Sequence, residues 1–77
     1  MNEKQLVVFE AEDLNPMEKL MLMGMIEFPE LSQTAVAKRV HMNVPHASTV
    51  AKSIEAKGYI KRHKREKWAM ADIEILI

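Results

Sequence analysis

Apolar residues recur at helical steps up to Lys57, and after Gly58 the period changes to that of strands. That switch separates a helical body from a β-hairpin. Asn15-Pro16-Met17-Glu18 has the form of a helix start: a capping asparagine, proline at the first helical position, and glutamate three residues after the cap. This helix is predicted to run to Glu27 or Phe28, where Pro29 stops it. Its apolar residues, Met17, Leu20, Met21, Leu22, Met23, Met25, Ile26 and Phe28, go nearly all the way round, so it should be covered on more than one side. Gly24 permits close approach by another element. Ser32 opens a second helix through Val40, with Leu31, Val36, Ala37 and Val40 as its apolar side. Asn43 caps a third, running to about Lys57 and ended by Gly58. The inward line of the third helix is Ala47, Val50, Ala51 and Ile54, which leaves Val44, Pro45, His46, Ser48, Thr49, Lys52 and Ser53 facing outward.

Beyond Gly58, Tyr59 to His63 reads as a strand, Lys64-Arg65-Glu66-Lys67 as a charged turn, and Trp68 to Ile73 as the returning strand. The apolar run Leu6-Val7-Val8-Phe9 reads as a short strand or a packed arm. The apolar end Glu74-Ile75-Leu76-Ile77 suggests strand pairing, with Leu6 to Phe9 or with a second subunit. The expected architecture is mainly α with a small β-hairpin. An arm or strand occupies 1–14, a three-helix core 15–58, the hairpin 59–73 and an apolar tail 74–77.

The chain has 77 residues, 48% of them hydrophobic, and no cysteine. Disorder and a disulfide framework are therefore excluded. A core this small contributes only a few kcal/mol of net stability, so dimerisation through the first helix and the terminal segments is expected. No run is apolar enough for a membrane span, and Met1-Asn2-Glu3-Lys4 does not open like a signal peptide, so the expected location is the cytoplasm. The net charge is zero, but it is unevenly placed: residues 1–30 carry −5 and residues 31–77 carry +5. Such a swing suggests a positive working face backed by an acidic one.

Residues 31–63 supply a pattern that matches this charge. Leu31-Ser32-Gln33-Thr34-Ala35-Val36-Ala37-Lys38-Arg39-Val40 gives a capped helix with a paired apolar step. Met42-Asn43-Val44-Pro45-His46 through Lys57-Gly58-Tyr59-Ile60-Lys61-Arg62 gives a second capped helix, then glycine, an apolar residue and basic residues. This stretch resembles the winged helix-turn-helix of MarR-type regulators. The resemblance implies three helices plus a wing, double-stranded DNA as partner, and a role in transcription regulation. The chain departs from that pattern at His41, which stands where glycine is common and so predicts a wider or different turn, and in a short wing without glycine. The first half is also similar, more distantly, to the winged helices of plasmid and phage replication initiators.

The residues explain how such a fold would hold DNA. A major groove about 12 Å wide admits one helix. On the third helix, Ser48 and Thr49 suit phosphates or base edges, Val44 or Pro45 a thymine methyl, and His46 a guanine or phosphate, with Lys52 on the same outward side. Lys38 and Arg39 end the preceding helix within reach of phosphates, and Lys61, Arg62, Lys64, Arg65 and Lys67 would lie over the flanking backbone or minor groove. Few of these side chains are long and bidentate, so affinity should rest on phosphates and fall with salt. Two alternatives share the fold: a winged helix that docks a protein, and the DNA-binding part of a replication or partition system. An enzyme is not expected, because no nucleophile–base pair, phosphate loop or metal-ligand spacing is present. His41, His46 and His63 lack the companions a metal site needs, and no cofactor is expected. Trp68 and Tyr59 are expected to pack at the core or wing base.

Overall fold

A computed structural model describes residues 2–63 and 72–77. The elements are α1 (Glu3–Glu10), α2 (Pro16–Glu27), α3 (Gln33–Arg39), α4 (Val44–Ala56), β1 (Ile60–His63) and β2 (Asp72–Ile75). The fold is mainly helical with one antiparallel hairpin, as the periodicity predicts, but with four helices among the described residues rather than three.

All four helices start on a side-chain cap. The side chains of Asn2, Asn15, Ser32 and Asn43 accept from the backbone N–H groups of Gln5, Glu18, Ala35 and His46. Each such cap contributes about 1 kcal/mol. The three caps read from the sequence at Asn15, Ser32 and Asn43 are in place. The fourth corrects the reading of the N-terminus: Leu6 to Phe9 lie inside α1 and form neither a strand nor an arm. Asn2 and Gln5 close a reciprocal capping box at 2.9 and 3.0 Å, which outweighs the strand preference of the short apolar run. Val8 is fully buried beneath α1, whereas Leu6, Val7 and Phe9 stay exposed.

α2 is the central element and packs against α1, α3 and α4. Met21, Leu22, Met25 and Ile26 are buried in it. Gly24 faces α3 so closely that a Cβ there would lie 2.8 Å from Val36 Cγ1 and 3.1 Å from Val40 Cγ1. α4 contributes the line read from the sequence, Ala47, Val50, Ala51 and Ile54, all buried. Ile60 carries the core into the hairpin.

Between α2 and α4 lies a buried polar cluster. The Glu18 carboxylate accepts from Lys57 Nζ at 2.8 Å, from the Asn15 backbone N–H at 2.9 Å, and from the Ser53 hydroxyl. Burial alone would push this carboxyl up. The bonds from Lys57, Ser53 and Asn15, with the Lys57 charge, prevail and bring it down to about 2. Lys57 Nζ also donates to the Asp13 carbonyl at 2.6 Å, and the Tyr59 hydroxyl donates to the Asp13 carboxylate at 2.6 Å. The segment between α1 and α2 is thereby tied to the end of α4.

The returning strand of the hairpin extends further along the chain than expected. Ile60 pairs with Ile75, Lys61 with Glu74, Arg62 with Ile73 and His63 with Asp72. The returning strand, expected over 68–73, is described over Asp72–Ile75 and so runs two residues beyond Ile73, with His63 paired to Asp72. The alternation Asp72-Ile73-Glu74-Ile75 explains the choice, because it puts Ile73 and Ile75 together against the core. The apolar end does pair as a strand, but Glu74 and Ile75 pair with β1 rather than with Leu6 to Phe9, and Leu76 N–H continues the pairing to the Tyr59 carbonyl at 2.9 Å. Lys64 to Lys67, expected as the turn, and Trp68 lie outside the described residues.

Candidate nucleic-acid interface

α3 and α4 are joined by a tight turn. His41 has φ 59°, in the left-handed region. Met42 N–H donates to the Ala37 carbonyl at 2.9 Å and His41 N–H to the Lys38 carbonyl at 3.2 Å. These two bonds form a Schellman motif with histidine at the position usually given to glycine. The wider or different turn expected from His41 is thus corrected: the chain keeps the tight turn with histidine in the left-handed position. Burial of Met42 under the turn offsets the cost of about 1 kcal/mol for a side chain in that conformation. The same device ends α4. Gly58 has φ 87°, Tyr59 N–H donates to the Ile54 carbonyl, and Gly58 N–H donates to the Glu55 carbonyl. Two matching turns therefore set how α4 is entered and how the hairpin leaves it.

With its inner line buried, α4 exposes Val44, Pro45, His46, Thr49 and Lys52, and half-exposes Ser48. Thr49 Oγ1 donates to the Pro45 carbonyl at 3.4 Å. Lys38 and Arg39 are exposed at the end of α3, and the Arg39 guanidinium lies over the Phe28 ring, 4.7 Å from its centre. On β1, Lys61 is exposed and Arg62 half-buried, as alternation along a strand requires. His63 Nε2 lies 2.8 Å from Glu74 Oε1. Lys64, Arg65 and Lys67 lie outside the described residues.

A model of the MarR family matches residues 12–67. The chain belongs to the MarR family. MarR-family members are DNA-binding transcription regulators and not enzymes. The match begins just before α2 and continues past β1. No curated protein and no solved structure matches the chain. No described helix is long and apolar enough to cross a membrane.

Within this MarR-family domain, two residues that carry no signal in the sequence meet Arg62. Glu55, on the last turn of α4, accepts from Arg62 Nε at 3.0 Å and Nη2 at 2.9 Å, and from the Arg62 backbone N–H at 2.9 Å. Gln33, at the start of α3, accepts from Arg62 Nη1 at 3.2 Å. The Arg62 backbone and side-chain bonds and its charge hold the Glu55 carboxyl below its ordinary value. Arg62 thus brings the two helices and the hairpin together. No local signal announces this, because Gln33 stands 29 residues from Arg62. Tyr59, expected to pack at the wing base, is half-buried against the core. The hydrogen bond to Asp13, with burial and the Asp13 and Glu18 charges, raises its hydroxyl above the ordinary value.

Proposed function

We propose that this MarR-family chain is a cytoplasmic transcription regulator that binds double-stranded DNA as a homodimer. α4 enters the major groove with Val44, Pro45, His46, Ser48, Thr49 and Lys52. Lys38 and Arg39 contact backbone phosphates from the end of α3. The wing, with Lys61, Arg62, Lys64, Arg65 and Lys67, lies over the flanking backbone or minor groove. The observation that carries this reading is the one-sided burial of α4 within a family of DNA-binding regulators. Its inner residues seal the core, while the outer face stays free and carries no acidic residue from Val44 to Lys52.

What supports the dimer is apolar surface left over after folding. Leu6 is 49% exposed and Phe9 60%, one helical step apart on α1, and Leu20 on α2 is 42% exposed. A second copy would cover this surface in a two-fold arrangement and double the phosphate contacts.

The test is an anisotropy titration of a labelled duplex of about 25 base pairs at several salt concentrations, with sedimentation to give the mass. Micromolar or tighter binding that weakens steeply with salt is expected, and Lys52→Ala, which removes one contact from each of two copies, should reduce the magnitude of the salt slope by about 1.8. Absence of binding at low salt would overturn the DNA reading, and a monomer at micromolar concentration would overturn the dimer.

A further inference from the structure

We propose that Arg62 is a positioning residue, gripped by Glu55 and Gln33, that fixes the angle between the wing and α4. The proposal rests on the DNA-binding reading above and refines the part Arg62 plays in it. Among the described residues the sheet pairs β1 with β2 alone, and no described strand lies along the other edge of β1. Glu55 takes the place of one: Oε2 accepts the Arg62 backbone N–H, while Oε1 accepts Nε and Nη2 of the same residue. Main chain and side chain of position 62 are therefore pinned by a single carboxylate. The grip continues to Gln33 through Nη1, so one guanidinium ties α3, α4 and β1 together. Three of its five N–H donors are engaged, and the carboxylate beside it cancels the charge a phosphate would seek. Neighbouring Lys61 is exposed on the other side of the strand and remains available to the DNA backbone.

Lysine cannot do this work. One ammonium lacks the planar fork that meets Glu55 and Gln33 together. Glu55 in turn is an acidic residue set in the basic half of the chain, where its charge repels DNA. If Arg62 were mainly a phosphate contact, removing Glu55 would release it and strengthen binding. If Arg62 positions the wing, removing Glu55 weakens binding although the net charge rises by one.

The experiment uses the full chain, the same duplex, and the variants Glu55→Ala, Glu55→Gln and Arg62→Lys, at a temperature where circular dichroism shows each fully folded. The expected result is that Glu55→Ala and Arg62→Lys each weaken binding by about fivefold. Glu55→Gln, which keeps a carbonyl acceptor for the Arg62 N–H, should recover part of the loss. Equal or tighter binding by Glu55→Ala, or full affinity in Arg62→Lys, would overturn the proposal. Amide exchange at Arg62 and His63 is read in parallel without DNA. About tenfold faster exchange in Glu55→Ala supports the grip, and unchanged exchange overturns it. If the unmodified chain fails to bind the duplex, the DNA reading falls, while the exchange data still decide whether Glu55 pins the strand.

Discussion

Glu18→Gln isolates the charge of the buried cluster from its shape. Glutamine has nearly the same volume, its carbonyl can keep the Asn15 cap bond, and its amide can donate to the Ser53 hydroxyl. What it loses is the anion paired with Lys57 at 2.8 Å. The carboxyl falls from an ordinary 4.5 to about 2 in the folded chain. At about 1.4 kcal/mol per pH unit, that is roughly 3 kcal/mol. The Lys57 side chain is 34% exposed, so solvent screening reduces the figure to about 2 kcal/mol. Because the folded value lies below the unfolded one, this stabilisation is fully present above pH 4.5 and disappears as the pH drops towards 2. Thermal unfolding at fixed protein concentration is the assay. At pH 7 the variant should melt about 8–16 °C below the unmodified chain, and by pH 2.5 the gap should have shrunk to less than half. A gap under about 2 °C at pH 7, or one that does not change with pH, would refute the reasoning.

Other substitutions probe the frame that presents α4. Gly24→Ala gains about 1 kcal/mol of helix propensity, but its Cβ would stand 2.8 Å from the stiff Val36 side chain. The chemical-denaturation midpoint should therefore fall, by about 1 kcal/mol net, and a stabilised variant would contradict the packing. His41→Gly relieves the left-handed turn and should stabilise by about 0.5 kcal/mol after the greater freedom of glycine in the unfolded chain. Gly58→Ala should cost about 1 kcal/mol by the same denaturation assay although nothing lies within 4 Å of the new Cβ. Phe9→Ser should leave monomer stability within about 0.5 kcal/mol yet lower the sedimenting mass at micromolar concentration.

Much of the frame could be read before the structure because it is local. Asn15, Ser32 and Asn43 lie three residues from the N–H groups they cap, and Gly58 ends α4 by its own conformational freedom. The N-terminus was misread for an equally local reason: four apolar residues in a row outshone the Asn2–Gln5 pair that starts a helix. The end of the hairpin depended on which isoleucines meet the core, and Ile75 lies beyond the stretch that alternation around Trp68 marks out. Glu18 with Lys57, and Arg62 with Gln33, are joined across 39 and 29 residues. Charge and periodicity carry no record of which distant side chains will meet, so these ties became visible only in three dimensions.

Arg39 and Arg62 show two ways of restraining a guanidinium. Arg62 is restrained by its edge, through hydrogen bonds that engage its donors. Arg39 lies by its face over Phe28 at the end of α2, an attraction between cation and ring that does not use the N–H groups in the plane of the fork. A side chain ordered in this way has surrendered part of its rotational freedom before any partner arrives, so less entropy remains to be lost when a phosphate is met. On the proposed DNA-binding reading, Phe28, the residue that ends the central helix, would thereby help determine how readily a charge at the end of α3 is used.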